Sequence, residues 1–530
     1  MRLLPPEILG RLSRGIEKES LRAGPDGKLA DTPHPIGLGS ALTHPHITTD
    51  FSEAQLELIT GVLPDAGACL DELTEIHQVV YWQIGDEILW AASMPCGLPA
   101  DDAIPLAKYG TSNVGRAKTV YRQGLSHRYG RRMQTISGIH YNFSLPQAAW
   151  QVLQRADGQD GSEQDYRTAA YFALIRNFRR HAWLLLYLFG ASPAVCSTFL
   201  EGRPHRLERL DSGTLFLPHA TSLRMGPLGY QSDAQAALAV SFNCLESYSR
   251  SLSRALSEPY PDYERIGVHD GGGLYRQLAT TLLQIENEFY GTIRPKRSIR
   301  SGERPLHALA ERGVEYVEVR CLDLDPFSPI GISIETLHFL DVFLLHCLLH
   351  DSSRDTPEEI ATISHNQHRV AQYGREPGLR LERGHGEIGM ADWGRELLRE
   401  CAPIAAALDA AIGSAAGGVR GGGARSATPH RDALDAAEAA LADPAITPSA
   451  RTLSEMAQHH EDSFPRFALA RSLRHRDALL AMPLTAEAQA RHTRMAEASL
   501  AEQRRIEAAD DMPFETWRQR YLAGKLPRAG

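Results

Sequence analysis

The sequence predicts an α+β protein, a mixed body followed by a helical lobe, and three observations carry that reading. Alternating apolar and polar residues mark strands up to about residue 150 and again at 314–320. Long apolar runs with helical period lie between and after them. From about residue 385 the composition shifts to Ala, Arg and Glu. The boundaries that follow are a body over 1–384 and a helical lobe over 385–530 packed on it.

Helices are expected at 168–188, ending at Gly190, and at 234–257, where Leu238, Phe242, Leu245 and Tyr248 recur every three to four positions. Two more are expected at 275–288 and 334–349. In the lobe, 430–442, 450–473 and 485–509 read as helices. The Gly/Ala-rich stretch 413–423 reads as a flexible loop.

Bulk properties narrow the function. The chain has 530 residues, 43% hydrophobic and 23% charged, with a net charge of -9. That balance lacks the basic footprint of a sequence-independent nucleic-acid binder. Seven cysteines without CxxC spacing form neither a disulfide framework nor a zinc ribbon, so reduced thiols and a cytoplasmic location are expected. No signal-peptide core is evident in MRLLPPEILGRL. The apolar runs at 183–189 and 334–349 are too short or too interrupted by charge to span a bilayer.

Four segments carry the chemistry. In RGIEKESLR (14–22), Glu17 and Glu19 share one face of a strand about 7 Å apart. Bare, they repel by roughly 2 kcal/mol at an effective dielectric of 20. The pair is either a solvated edge or part of a cation site. In the second segment, 136–145, Ile139, Tyr141, Phe143 and Leu145 form an apolar face, and Gln134, Gly138, His140, Asn142 and Ser144 the polar one. His140 is there either a structural residue or a ligand. In the third, 314–320, Val317 and Val319 turn inward, opposite Tyr316, Glu318 and Arg320. Glu318 with Arg320 is an ion pair, or a metal ligand beside a phosphate clamp. In the fourth, 48–60, Glu53, Gln55 and Glu57 lie opposite Leu56 and Leu58, and Asp50 reaches the same site only through a turn before the strand. Glu17, Glu19, Asp50, Glu57, Glu318 and His140 together make an oxygen-rich set that selects magnesium or manganese. More than four carboxylates exceed the need of one ion. Two or three ions around a polyphosphate would use them, which points to nucleotide chemistry.

Other signals fall away. The stretch 110–119 has Arg116 where a P-loop needs lysine. Gly271, Gly272 and Gly273 read as a turn, and His44 with His46 around Pro45 as a surface turn. Cys96 lacks a histidine signature for a nucleophile.

The segments RGIEKESLR, GSALTHPHITTDFSEAQLELIT, SMPCGLP, YGTSNVGRAKTVYRQGLSHRYGRRMQTISGIHYNFSLP, HATSLRMGPLGY, LQIENEFYGTIRPKR and EYVEVRCLDLDPFSPIG occur in this order, and the chain resembles the proteobacterial glutamate–cysteine ligases over roughly 10–350. The resemblance implies a curved, mainly antiparallel sheet forming a funnel, with helices outside. It implies Glu17, Glu19, Asp50, Glu57, His140 and Glu318 as the metal shell and Arg320 as a phosphate clamp. Arg224, with Arg122, is implied as a substrate carboxylate anchor, and Tyr121, Leu125, Gln134, Tyr230 and Tyr290 as the pocket for cysteine. Lys296 and Arg297, beside Arg294, are either nucleotide contacts or a basic turn. Glu53 is a weaker candidate. Two to three magnesium ions, ATP, L-glutamate and L-cysteine are the implied partners of a monomer that touches neither nucleic acid nor membrane. The implied chemistry proceeds through γ-glutamyl phosphate, shielded by loops near 110–115 and 226–229. The rivals are a related ligase with another amine acceptor and a regulator that binds nucleotide without catalysis.

Overall fold

The computed structural model describes residues 4–229, 233–236, 238–300, 302–415 and 426–526. Its centre is an antiparallel sheet. The strands, in chain order, are β1 (Ser13–Ala23), β2 (Ile47–Thr49), β3 (Gln55–Ile59), β4 (Ile88–Leu89) and β5 (Ile139–Ser144). A small sheet of β6 (Ala194–Cys196), β7 (Glu208–Arg209) and β8 (Thr214–Phe216) intervenes before β9 (Ile293–Lys296) and β10 (Tyr316–Leu322). The main sheet runs β2-β3-β1-β5-β10-β9, with β4 also paired to β1. β11 (Arg380–Arg383) and β12 (Gly386–Gly389) form a separate hairpin.

Period-two patterning splits the sheet into an apolar face and a polar one. Ile16, Leu56, Leu58, Ile139, Tyr141, Phe143, Val317 and Val319 are fully buried on the apolar face. They share one core with the helices Glu163–Phe189 and Ile334–Leu349. Those helices end and begin as expected, at Gly190 and at the Ser333 N-cap. Among the described residues no helix is long and apolar enough to cross a membrane.

One buried ion pair ties the sheet to this helical layer. Arg14 on β1 donates through Nε to Asp341 at 3.1 and 2.9 Å and through a terminal nitrogen at 2.6 Å. The Tyr141 hydroxyl donates to the same carboxylate at 2.7 Å. The strand that carries Glu17 and Glu19 is thus anchored from behind.

Several helices differ from expectation. The 275–288 segment is not a helix and contains only a short turn at Glu286–Glu288. Its side chains take the backbone groups that a helix would use. Gln284 accepts from Leu278 N, Glu288 accepts from Gln284 N, and Gln277 donates to the Tyr263 and Gly267 carbonyls. The 234–257 segment is split into Asp233–Ala236 and Leu245–Ser257. There Arg176 binds the Phe242 and Asn243 carbonyls, both at 3.1 Å. The 450–473 segment is two helices, Pro448–His459 and Phe464–Ala481, broken at Glu461 and Asp462, whose φ values are positive.

The C-terminal helices share the body's cores. Met390–Ala415 and Pro429–Ala442 pack on Ile334–Leu349, and Phe464–Ala481 packs on Ala66–Gln83. Ala486–Ala508 meets the short turn Ile36–Leu38, and Phe514–Leu522 covers Asn113–Tyr129. In the expected loop, 413–415 finish a helix, and 416–423 lie outside the described residues.

Burial would raise the Asp341 carboxyl, but Arg14 and then His430 hold it at about 2. A depressed carboxyl gives stability that is present above its ordinary value and lost as pH falls from about 4 to 2. That contribution is about 2 kcal/mol. Asp341→Asn should cost roughly 3–5 kcal/mol at neutral pH by leaving Arg14 uncompensated. Urea unfolding at pH 7 and pH 3 should show the penalty shrinking in acid.

Candidate active site

Strand register assembles the acidic cluster. Glu17 lies opposite His140, Glu19 opposite Glu57, and Glu318 opposite Asn142. All project on the polar face, because the alternate positions are committed to the core. His140 Nδ1 is 3.4 Å from Glu17 and 3.9 Å from Glu318, and its Nε2 is 3.6 Å from Glu19. Glu17, Glu57 and His140 each offer an atom within 4.8 Å of the others. Asp50 joins through the turn between β2 and β3, near enough that its charge raises Glu19 and Glu57.

The electrostatics divide the cluster. Burial, followed by Glu17, Asp50 and Glu19, pushes Glu57 well above the ordinary carboxylate range. Burial also raises Glu19, although His140 opposes it. Glu318 resists its burial because Lys296, Arg320, His140 and Arg294 hold it well below that range. Glu17 is also held below it, since the His140 hydrogen bond and Lys296 offset burial and the Glu318 charge.

These residues fit divalent cations. The donors are carboxylate oxygens with one imidazole, as hard ions require. Glu318 Oε2 is buried with no hydrogen-bond partner, its 3.2 Å approach to Arg320 being an ion pair of poor hydrogen-bond geometry. Glu17 is oriented by Asn142 Nδ2 at 2.8 Å, and Glu19 by the Gly138 amide at 2.7 Å.

Basic groups border the cluster on one side. Lys296 Nζ is 3.1 Å from Glu318, and an Arg320 terminal nitrogen is 3.4 Å from His140 Nδ1. Arg294 turns toward the Asn287 and Phe289 carbonyls and supports that loop. Arg297 does not join them. It donates to the Arg312 carbonyl at 3.0 Å and lies 3.6 Å from Glu315. The alternation that brings Lys296 in carries its neighbour away.

Arg320 also lines a cavity of about 660 Å³, together with Arg224, Gln235, Phe289, Tyr290 and His368. That volume suits a small-molecule ligand. Arg224 is buried, donates to the Arg320 carbonyl at 3.0 Å and lies 3.8 Å from Asp323. Gly138 makes room for it, since a Cβ there would be 2.0 Å from the guanidinium. Gln134 donates to the Tyr290 hydroxyl at 2.9 Å, and Tyr121 lies near enough for Tyr290 to influence its titration. Leu125 is buried one helical turn after Tyr121. Tyr230 lies outside the described residues.

Arg122 is set at the Asp50 turn. It donates to the Asp50 carbonyl and to the Lys118 carbonyl at 3.0 Å, and stacks 4.5 Å over Tyr109. Glu53 is not at the cluster. Its oxygens accept from the His34 and Lys108 amides at 3.0 and 2.9 Å. His44 is buried, not on a surface turn, because its Nδ1 accepts from the His46 and Ile47 amides at 3.1 and 2.9 Å. Of the expected closing loops, 110–115 is tied to the C-terminal region, through Thr111 with Glu507 at a helix end and Asn113 with Asp510 in the connection that follows. Asn142 and Asp323 were not singled out as functional by sequence reasoning. Asn142 stands on the polar face of β5 beside His140, and that alternation was its available signal.

The fold and site define a class: an antiparallel sheet presenting a carboxylate cluster whose donors fit divalent cations, beside an arginine-lined small-molecule cavity. Comparisons with known proteins give the family. The family model for glutamate–cysteine ligase matches residues 5–370. A glutamate–cysteine ligase from Pseudomonas entomophila is 49% identical over 98% of this chain and 95% of its own, and one from Pseudomonas paraeruginosa is 51% identical over 98% and 95%. The crystal structure of a glutamate–cysteine ligase from Francisella tularensis in complex with AMP superposes with a TM-score of 0.89 at 37% identity, covering 97% of this chain and 98% of that one. The chain belongs to the glutamate–cysteine ligase family.

Like-charge repulsion gives a test. Magnesium should raise the melting temperature of the wild type. Glu57→Gln should raise it in ion-free buffer, by removing the most strongly opposed carboxylate, and should blunt the response to magnesium. Scanning calorimetry with and without chelator measures both.

Proposed function

We propose that the protein joins the γ-carboxylate of L-glutamate to the amine of L-cysteine at the expense of ATP, releasing γ-glutamylcysteine, ADP and phosphate. The observation that supports this most is the six-residue cluster from four parts of the sheet, bordered by Arg320 at the mouth of the cavity, in a chain of this family.

A carboxylate does not react with an amine at neutral pH because its oxygen is a poor leaving group. Transfer of the γ-phosphoryl group of ATP to the glutamate side chain gives γ-glutamyl phosphate. The cysteine amine then attacks the acyl carbon, and phosphate leaves. Such transfer depends on positioning and charge neutralisation more than on a protein nucleophile. Two or three magnesium or manganese ions, held by Glu17, Glu19, Asp50, Glu57, His140 and Glu318, would supply much of that neutralisation when bound.

The chain's own side chains supply the rest. Arg320 and Lys296 offer fixed positive charge to the phosphate, the arginine in a fork that suits two oxygens. Arg224 offers its guanidinium to a substrate carboxylate, and Asp323 and the Arg320 carbonyl hold it in place. Tyr121, Leu125, Gln134 and Tyr290 form the wall for cysteine, with Tyr230 and Arg122 assigned to substrate binding by the same reading. Excluding water from the acyl phosphate falls to the segment 226–229, which follows the cavity-lining Arg224 and Met225. A cytoplasmic monomer fits this role.

ADP release from ATP, magnesium, glutamate and cysteine is the direct test. Product analysis with cysteine, glycine and ammonia distinguishes this activity from a ligase with another acceptor, and no ADP release at all indicates a non-catalytic binder. Glu318→Gln should cut kcat at least 100-fold on the order expected for a lost metal ligand. Arg320→Lys should lower kcat/KM by a similar order, because a point charge does not replace the fork.

A further inference from the structure

A second cluster of metal-binding groups sits in the helical layer, on elements that contribute none of the six acidic-cluster residues. His181 comes from the helix Glu163–Phe189, His346 and Cys347 from Ile334–Leu349, and Glu400 from Met390–Ala415. A ring nitrogen of His181, a ring nitrogen of His346 and Cys347 Sγ lie within 4.8 Å of one another. His346, His350 and Glu400 form a second trio within the same limit. His346 and Cys347 are almost wholly buried.

Two buried nitrogens in this cluster have no hydrogen-bond partner, His181 Nδ1 and His346 Nδ1. An imidazole nitrogen left so in the interior carries a desolvation cost that packing alone does not explain. The other nitrogen of His346 is accounted for, since Nε2 stands 2.9 Å from Glu400 Oε2. A carboxylate on one imidazole nitrogen with the second directed inward is the arrangement that orients a metal-bound histidine.

We propose that His181, His346 and Cys347 bind one borderline transition-metal ion of the zinc class, with Glu400 orienting His346 and His350 lining the approach. Two imidazoles and a thiolate match zinc or cobalt(II) and not magnesium. Three protein ligands leave a fourth position for water. The thiol must lose its proton on binding, and a cation makes that favourable in a site where burial otherwise opposes it. Glu400 is partly exposed and His350 half-buried, so the cluster reaches solvent on that side. An ion here would join two helices directly, and a third through Glu400, behind the sheet.

Cobalt(II) is the probe, because its thiolate complexes absorb in the near ultraviolet and an oxygen-rich site with one imidazole gives no such band. Full-length protein stripped with chelator and titrated with cobalt(II) in excess magnesium, which occupies the oxygen-rich cluster, should develop the band, saturating at one equivalent. Cys347→Ser should abolish it. Glu400→Gln, at a partly exposed position, should weaken cobalt affinity about tenfold while the protein keeps its ordinary melting temperature without metal. His140→Ala, in the acidic cluster, should leave the band in place. Absence of the band in the wild type, or its survival in Cys347→Ser, overturns the assignment. Undiminished cobalt affinity in Glu400→Gln overturns the role given to that carboxylate.

Discussion

The site depends on strand pairing that holds like charges together. Separate chain segments place Glu17, Glu19, Glu57 and Glu318 on one face, and nothing in their mutual electrostatics favours that. What enforces it lies on the other face. Glu57 lies between Leu56 and Leu58, Glu318 between Val317 and Val319, and Glu17 beside Ile16, all buried in the core, so a one-residue slip would bury the carboxylates and expose the core residues. The Arg14–Asp341 ion pair adds a tether from behind. The cluster's repulsion is therefore carried by the hydrophobic core, and Lys296, Arg320 and His140 offset only part of it.

The surroundings follow from that base. Arg320 stands between the acidic cluster and the cavity, and its backbone carbonyl fixes Arg224. Gly138 orients Glu19 through its amide and admits Arg224 by lacking a side chain. One short stretch of β10 and the approach to β5 thus couple the charge cluster to the pocket that lies beside it. The C-terminal helices contribute from outside, and Phe514–Leu522 backs the helix bearing Tyr121, Arg122 and Leu125.

Much of this was legible in the sequence where a single periodicity governs. The strand carrying His140 shows clean alternation, Glu318 is flanked by Val317 and Val319, and Glu17 and Glu19 share a face by their i, i+2 spacing; the faces read in this way are the ones that meet. The turn needed to bring in Asp50 is present between β2 and β3. The helix Ile334–Leu349 is recognisable from its apolar run. Legibility fails where side chains compete for the backbone. Gln277, Gln284 and Glu288 turn an apparent helix at 275–288 into a loop, and Arg176 splits the one at 234–257. It also fails for long-range partners. Nothing in IRPKR shows that Lys296 meets Glu318 while Arg297 meets Glu315, and nothing in THPH shows that His44 is buried. The grouping of His181, His346 and Cys347 is likewise a product of helix packing, invisible to spacing alone.

The central claim is that the acidic cluster is a polymetal centre and not a set of internal ion pairs. Anomalous diffraction from crystals grown with manganese and a non-hydrolysable ATP analogue tests it most directly. The account predicts manganese peaks bounded by Glu17, Glu57, His140 and Glu318, with the analogue's terminal phosphate beside Arg320. Manganese bound only elsewhere, with Lys296 and Arg320 still paired to Glu318 and no phosphate at the sheet, would contradict it.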